Sequence, residues 1–263
     1  ENGDFEYAVL AWEISLYNLL DAGYDLLQLK QELQQCHAAV KSLKQGNNLD
    51  YVSALLQVCD NLLGLAKNPA VLTGAQYNIE QKRQQHAQIG DKTLISTDHE
   101  LSIWLRYLFG DIKGALEQAD STAIEDSLVG GFFKTARVYM VDALIRLANV
   151  ADADSTQKRK LLRQVKRVHT KLKAWAKSCP ENYRHKVLIV EAERLRVTGK
   201  QYKANTLFDE AIQCSADNGF IQEQALASEL CACMHLAAGR ITVARPYLIQ
   251  ARDLYARWGA QAK

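Results

Sequence analysis

A 40-residue repeat near the end of the chain narrows its fold more than any other feature. Gly199, Ala204 and Ala211 recur as Gly239, Ala244 and Ala251, each displaced by 40 positions. The same offset relates Ala192 to Ala232 and Gly219 to Gly259. A fixed period of this size marks a stacked helical repeat. Such repeats build extended binding surfaces.

The physics of the repeat is readable residue by residue. Ala204 and Ala211 lie seven apart, two turns along one helical face. Small side chains there let two helices approach closely. Leu207 and Phe208, between them, fill the groove to the next hairpin. Gly199 and Gly239 fall where a left-handed residue ends the preceding helix. One hairpin cannot bury its apolar stripe alone, so neighbours must stack. Gly199, Ala204, Ala211, Gly239, Ala244 and Ala251 are therefore the packing residues of the repeat, whose clearest copies span 181–219 and 220–259. A degenerate copy begins at Gly110-x4-Ala115, with Thr122 or Ala123 near the second small position.

The rest of the chain reads as all-α. It has 263 residues with three prolines and fourteen glycines, which fall between helical patterns. No stretch alternates like a strand. Twelve helices are expected, over 4–22, 25–45, 50–65, 74–89, 98–109, 111–121, 132–149, 156–177, 181–198, 202–216, 220–238 and 242–258. A loop carrying Gly130-Gly131 precedes the seventh. Together they predict a tetratricopeptide-like solenoid of about six stacked antiparallel helical hairpins. No low-complexity linker interrupts it, so 1–263 is expected to be a single continuous domain. A start at Glu1 and an abrupt stop at Lys263 suggest a fragment of a longer protein.

Composition excludes little but sets the class. A hydrophobic share of 48% supports a sizeable core, and a net charge of +2 gives no global pull toward nucleic acid or membrane. No apolar run reaches the length of a membrane span. Six cysteines, at 36, 59, 179, 214, 231 and 233, sit mostly inside helical patterns, as small buried hydrophobes do. That placement fits a reducing, cytoplasmic setting better than a disulfide framework.

Motifs for chemistry are sparse. Cys231-x-Cys233-x-His235 has metal-binding residue types, but on a helix Cys233 points about 200° away from Cys231. Cys36-His37 fails for the same reason. Thr97-Asp98-His99-Glu100-Leu101-Ser102 resembles the phospho-accepting motif of sensor kinases, without the Thr-Pro that follows it there. Asp98 reads instead as a helix cap, with His99 and Glu100 in a polar first turn. Glu191 and Glu193 lie among basic neighbours and read as a solvated salt-bridge face. No phosphate-binding glycine loop or nucleophile elbow is present. No catalytic, metal or cofactor-binding residue is expected, and no enzyme activity.

One charge feature is unusual. Between Ser155 and Pro180 there is no acidic residue and there are nine bases: Lys158, Arg159, Lys160, Arg163, Lys166, Arg167, Lys171, Lys173 and Lys177. They lie largely opposite the apolar stripe of Leu161, Leu162, Val165, Val168, Leu172 and Trp175. A solvated face is the plainer explanation. The sharper one is a docking surface for an acidic partner, carried by Lys158, Arg159, Arg163, Lys166, Arg167 and Lys173. Nucleic acid fits less well, because no aromatic residues interleave for stacking.

Three blocks carry a family likeness. They are Trp175-Ala-Lys-Ser-Cys-Pro180-Glu-Asn-Tyr183-Arg-His185-Lys with Glu191-Ala-Glu193-Arg194, then Asn218-Gly219-Phe220-Ile-Gln-Glu223-Gln-Ala225-Leu226-Ala-Ser-Glu229-Leu230, then Tyr255-Ala-Arg257-Trp258-Gly259-Ala260-Gln-Ala262-Lys263. Gly3-Asp4-Phe5-Glu6-Tyr7-Ala8 is similar to the start of the same region. Together they resemble the helical-repeat region of large bacterial multidomain signalling proteins. In those, a kinase-like domain and an ATPase precede the region, and a GAF or PAS sensor with a histidine kinase or diguanylate cyclase output follows. The resemblance implies a non-catalytic scaffold that couples the ATPase module to the sensor-output module through protein contacts. A ligand- or peptide-sensing helical-repeat domain of an ATPase-linked transcription regulator is the alternative.

Overall fold

The computed structural model describes residues 5–42, 46–121 and 133–263. These form twelve helices: α1 (Phe5–Asp21), α2 (Leu26–Ser42), α3 (Gly46–Leu62), α4 (Ile79–Ile89), α5 (Lys92–Leu108), α6 (Ile112–Ser121), α7 (Thr135–Ala148), α8 (Ser155–Ser178), α9 (Pro180–Val197), α10 (Gln201–Asp217), α11 (Ile221–Ala237) and α12 (Ile241–Trp258). Helices adjacent in sequence pack on each other, α2 on α3, α9 on α10 and α11 on α12 among them. No sheet occurs among the described residues, and Thr73 and Asn78 form an isolated antiparallel bridge. The chain divides into two compact units, Glu1–Lys134 with Gly259–Lys263, and Thr135–Trp258.

The second unit holds the 40-residue repeat apart from Gly259, and the small residues of the repeat are buried there. Ala192, Ala204, Ala211, Ala232 and Ala244 are fully buried, and Ala251 is nearly so. Gly199 and Gly239 adopt φ +80° and +70°. At each, the next backbone N–H reaches five residues back, Lys200 to the Leu195 carbonyl and Arg240 to that of His235, both at 2.9 Å. This is the six-to-one hydrogen bond that closes a helix through a left-handed residue. Ala192 and Leu195 of α9, Ala204 and Phe208 of α10, and Cys231 and Met234 of α11 form one core, with Leu207, Leu230 and Tyr247 packed against it. α10 thus buries its stripe against both neighbours. Gly259, at φ +96°, differs from its counterpart Gly219. Within the first unit a Cβ on Gly259 would lie 3.2 Å from the Leu26 Cβ.

The degenerate copy at Gly110 places Ala115 and Ala119 in the core, four residues apart. Thr122, Ala123 and the Gly130-Gly131 pair lie outside the described residues.

Several helix starts in the first unit differ from expectation, each for a local reason. α4 begins at Ile79, not at Gly74, because the Asn78 side chain accepts from the Glu80 and Gln81 N–H groups at 3.1 and 3.2 Å. The stretch before it is a turn, held where Gln57 Oε1 accepts from Gln76 and Tyr77 N–H. Gly46, expected to close α2, is instead the first residue of α3. α5 starts at Lys92, six residues before Asp98, with Asp91 as its cap accepting from Leu94 N–H at 3.0 Å.

Asp98 is therefore not a cap. It lies buried within α5, as do His99 and Glu100. Tyr77 donates to one Asp98 oxygen at 2.6 Å, and His86 Nδ1 faces the other at 3.0 Å. His86 Nε2 faces Asp50 at 3.1 Å, and Lys82 binds Asp50 at 2.8 Å. Periodicity cannot tell a capping acid from one buried with partners.

Ala211 is fully buried on α10, which packs against both α9 and α11. Replacing it with leucine is expected to overpack the α9–α10–α11 contact and cost about 1–3 kcal/mol. The midpoint of urea unfolding of Ala211→Leu should fall accordingly, and an unchanged midpoint would refute close packing at this position.

Candidate functional site

α8 is a 24-residue helix, about 36 Å long at 1.5 Å per residue. Its start is set by Asp154, whose carboxylate accepts from the Thr156 and Gln157 N–H groups at 2.8 Å. Leu161, Val165, Val168 and Leu172 are buried along one side, packed in the second unit against α7 and α9. Leu162 and Trp175 are only half-buried, and Trp175 stacks on Tyr139 at 5.4 Å. The predicted docking residues Lys158, Arg159, Arg163, Lys166, Arg167 and Lys173 are all exposed, with Lys160 and Lys177. The ninth base, Lys171, turns inward and donates to the Tyr139 hydroxyl at 3.3 Å.

Among the described residues, none of the eight exposed bases has a carboxylate within ion-pair distance. Lys173 comes nearest: with Arg194, whose hydrogen bonds act more strongly, it helps hold Glu191 below the usual carboxylate range. Like charges at i, i+3 and i+4 repel by a few tenths of a kcal/mol per pair. Arg159–Arg163, Arg163–Lys166, Arg163–Arg167 and Lys173–Lys177 are such pairs. The structure thus brings the predicted basic residues together on one solvent-facing row.

The interior treats charge differently. Lys186 of α9 and Glu223 of α11 form an ion pair at 2.6 Å, with side chains 2% and 3% exposed. Lys186 Nζ also lies 2.9 Å from His185 Nε2 and 4.6 Å above the Phe220 ring, on which His185 stacks. Burial drives the His185 imidazole well below its ordinary range, with Lys186 adding to the effect. His185 then meets the ammonium as a neutral acceptor. Sequence reasoning missed this cluster, although a signal existed. Lys186 precedes Ile189 and Val190 by three and four residues, and Glu223 precedes Leu226 and Ala227 likewise, so both sit in apolar stripes.

The other motifs resolve plainly. Glu191 and Glu193 pair with Arg194 and Arg196 at 2.6 and 2.8 Å, but the face is not a solvated one: Glu191 is half-buried and Glu193 is buried, because α9 packs between neighbouring helices. Cys231 is buried and Cys233 exposed, so they lie on different sides of α11. His235 Nε2 meets Asn205 Oδ1 at 2.6 Å. All six cysteines are free: Cys36 and Cys59 are also buried, while Cys179 and Cys214 are half-buried. No helix among the described residues is long and apolar enough to cross a membrane. No family model, curated protein or solved structure matches the chain.

Removing one partner of the Lys186–Glu223 pair strands a buried charge. Lys186→Met is expected to cost about 3–5 kcal/mol, and the double variant Lys186→Met/Glu223→Leu much less. Denaturant titration of the three proteins measures the difference.

His99 supplies a pH test. Burial, then the charge of Arg83, pushes its imidazole down from 6.5 to about 4. The neutral form is favoured in the fold, so the unfolded chain binds more protons between these values. Stability from neutral His99 is complete above pH 6.5 and is lost as pH falls toward 4. The span corresponds to on the order of 3 kcal/mol. His99→Leu should flatten that part of the stability–pH curve.

Proposed function

We propose that this chain is a non-catalytic helical-repeat scaffold of a bacterial signal-transduction protein, coupling an ATPase module to a sensor-output module. In this proposal its hairpins stack in the tetratricopeptide-like manner, and α8 is the face on which an acidic neighbouring domain or partner docks. The observation that carries the docking role is the exposed row Lys158, Arg159, Arg163, Lys166, Arg167 and Lys173, which no described carboxylate neutralises. Folding of the second unit uses the opposite side of the helix, so it gives no reason to hold these charges together. An acidic surface offsets their repulsion and yields an association that weakens as salt screens exposed charge. The sequence likeness of the Trp175–Lys186 and Asn218–Leu230 blocks supports the signalling role. Those two blocks also supply His185, Lys186, Phe220 and Glu223 of the buried cluster.

The test is charge reversal in the protein with its native flanking sequence. Arg163, Lys166 and Lys173 are changed together to glutamate, and interdomain or partner association is measured at about 0.05 and 0.5 M salt, either side of a ~10 Å screening length at 0.1 M. The expected result is association lost in the variant at low salt and weakened in the wild type at high salt. Association unaltered by both would leave α8 a solvated face.

A further inference from the structure

A cleft of about 170 Å³ opens within the first unit. Its lining comes from α1, α3, α5 and Lys134, and includes Glu13, Ile14, Tyr17, Tyr51 and Thr97. Leu10, 44% exposed, lies at its margin and opens it to solvent. The volume is close to that of an apolar cavity able to hold a benzene ring.

Glu13 is the unusual wall. On α1 it stands in the stripe Val9, Glu13, Leu16, Tyr17 and Leu20, where every other member is a buried hydrophobic residue. It is 4% exposed, and its Oε1 has no hydrogen-bond partner among the described residues. A buried carboxylate without a partner is costly and asks for an explanation. Three other buried acids of this unit have partners within reach. Lys134 donates to Glu100 at 2.7 Å, Lys30 pairs with Asp60 at 2.6 Å, and Tyr77 and His86 serve Asp98. Among the described residues, no cation pairs with Glu13. Burial raises its carboxyl to about 7, and no described positive charge opposes that rise.

Burial, followed by the charges of Asp91, Glu13 and Asp98, holds the Tyr51 hydroxyl above its ordinary range. Lys134 lines the cleft, but it is committed to Glu100 and lies 4.7 Å above the Tyr17 ring. The cleft therefore offers an apolar, aromatic wall and one unanswered acid.

We propose that this cleft binds a small organic ammonium, its charged nitrogen on the Glu13 carboxylate and its compact apolar body against Tyr17, Tyr51 and Ile14. An ammonium supplies the donors that Oε1 lacks, and forms a charge-assisted bond. The body displaces water from apolar walls, which adds affinity without fixing orientation. This site is independent of any docking on α8, which belongs to the other unit.

The probe is benzylamine, with benzyl alcohol and toluene as comparators of the same size. Binding to the whole chain is followed at pH 7.5 by calorimetry or ligand-observed NMR. Saturable millimolar or tighter binding of benzylamine is expected, at least tenfold stronger than that of either comparator. Glu13→Gln, which keeps the shape and removes the charge, should weaken benzylamine at least tenfold and leave toluene unchanged. Ile14→Phe, which fills the cleft and leaves Glu13 in place, should weaken all three probes. Circular dichroism confirms that each variant is folded. No saturable benzylamine binding to the wild type, equal binding of the three probes, or full affinity in folded Glu13→Gln would each overturn the proposal.

Discussion

Close approach of helices at alanine is the constraint on which the second unit depends. Ala192, Ala204, Ala211, Ala232 and Ala244 have no exposed surface, and their small size is what close helix packing at such positions requires. Phe208, Cys231 and Met234 then fill the space that close approach leaves at the next level. The left-handed turns at Gly199 and Gly239 return the chain at the pitch this packing needs. Remove the small residues and the large ones lose their grooves. Interiors packed as densely as organic crystals leave no slack to absorb the change.

Charge is handled in two opposite ways. Inside, an ion is matched at short range, as Lys186 is by Glu223 and Lys134 by Glu100. Desolvation makes any other arrangement costly, because a lone buried ion loses its hydration and gains nothing. On the exposed side of α8 the bases face water, which screens their repulsion well enough for the helix to tolerate it. Glu13 belongs to neither regime. It is buried like the first group and unanswered like the second, and that mismatch points to a ligand rather than to folding.

Much of this architecture was legible in the sequence. The 40-residue offset located the packing alanines and turn glycines, and the apolar stripe of α8 predicted which side of it faces solvent. The basic neighbours of Glu191 and Glu193 pointed to their ion pairs, but not to the burial of Glu193. The first unit was less legible. Its helix starts depend on side-chain caps from Asn78 and Asp91, and on the Gln57 bonds that hold the turn before α4. Such choices rest on single hydrogen bonds, which composition and period do not record.

The sequence by itself determined the helical class, the repeat and the basic row, because each is a periodic property of consecutive residues on one helix. Only the tertiary structure decided the fate of the buried charges. Asp98 looked like a cap until Tyr77 and His86 were seen beside it, and Lys186 had no assigned partner until α11 brought Glu223 within 2.6 Å. Glu13 was one acid among thirty acidic residues until α1, α3 and α5 closed a cleft around it. The physical reason is common to all three. An ionisable group takes its chemistry from the charges and water within a few ångströms, and those neighbours come from helices far away in the chain.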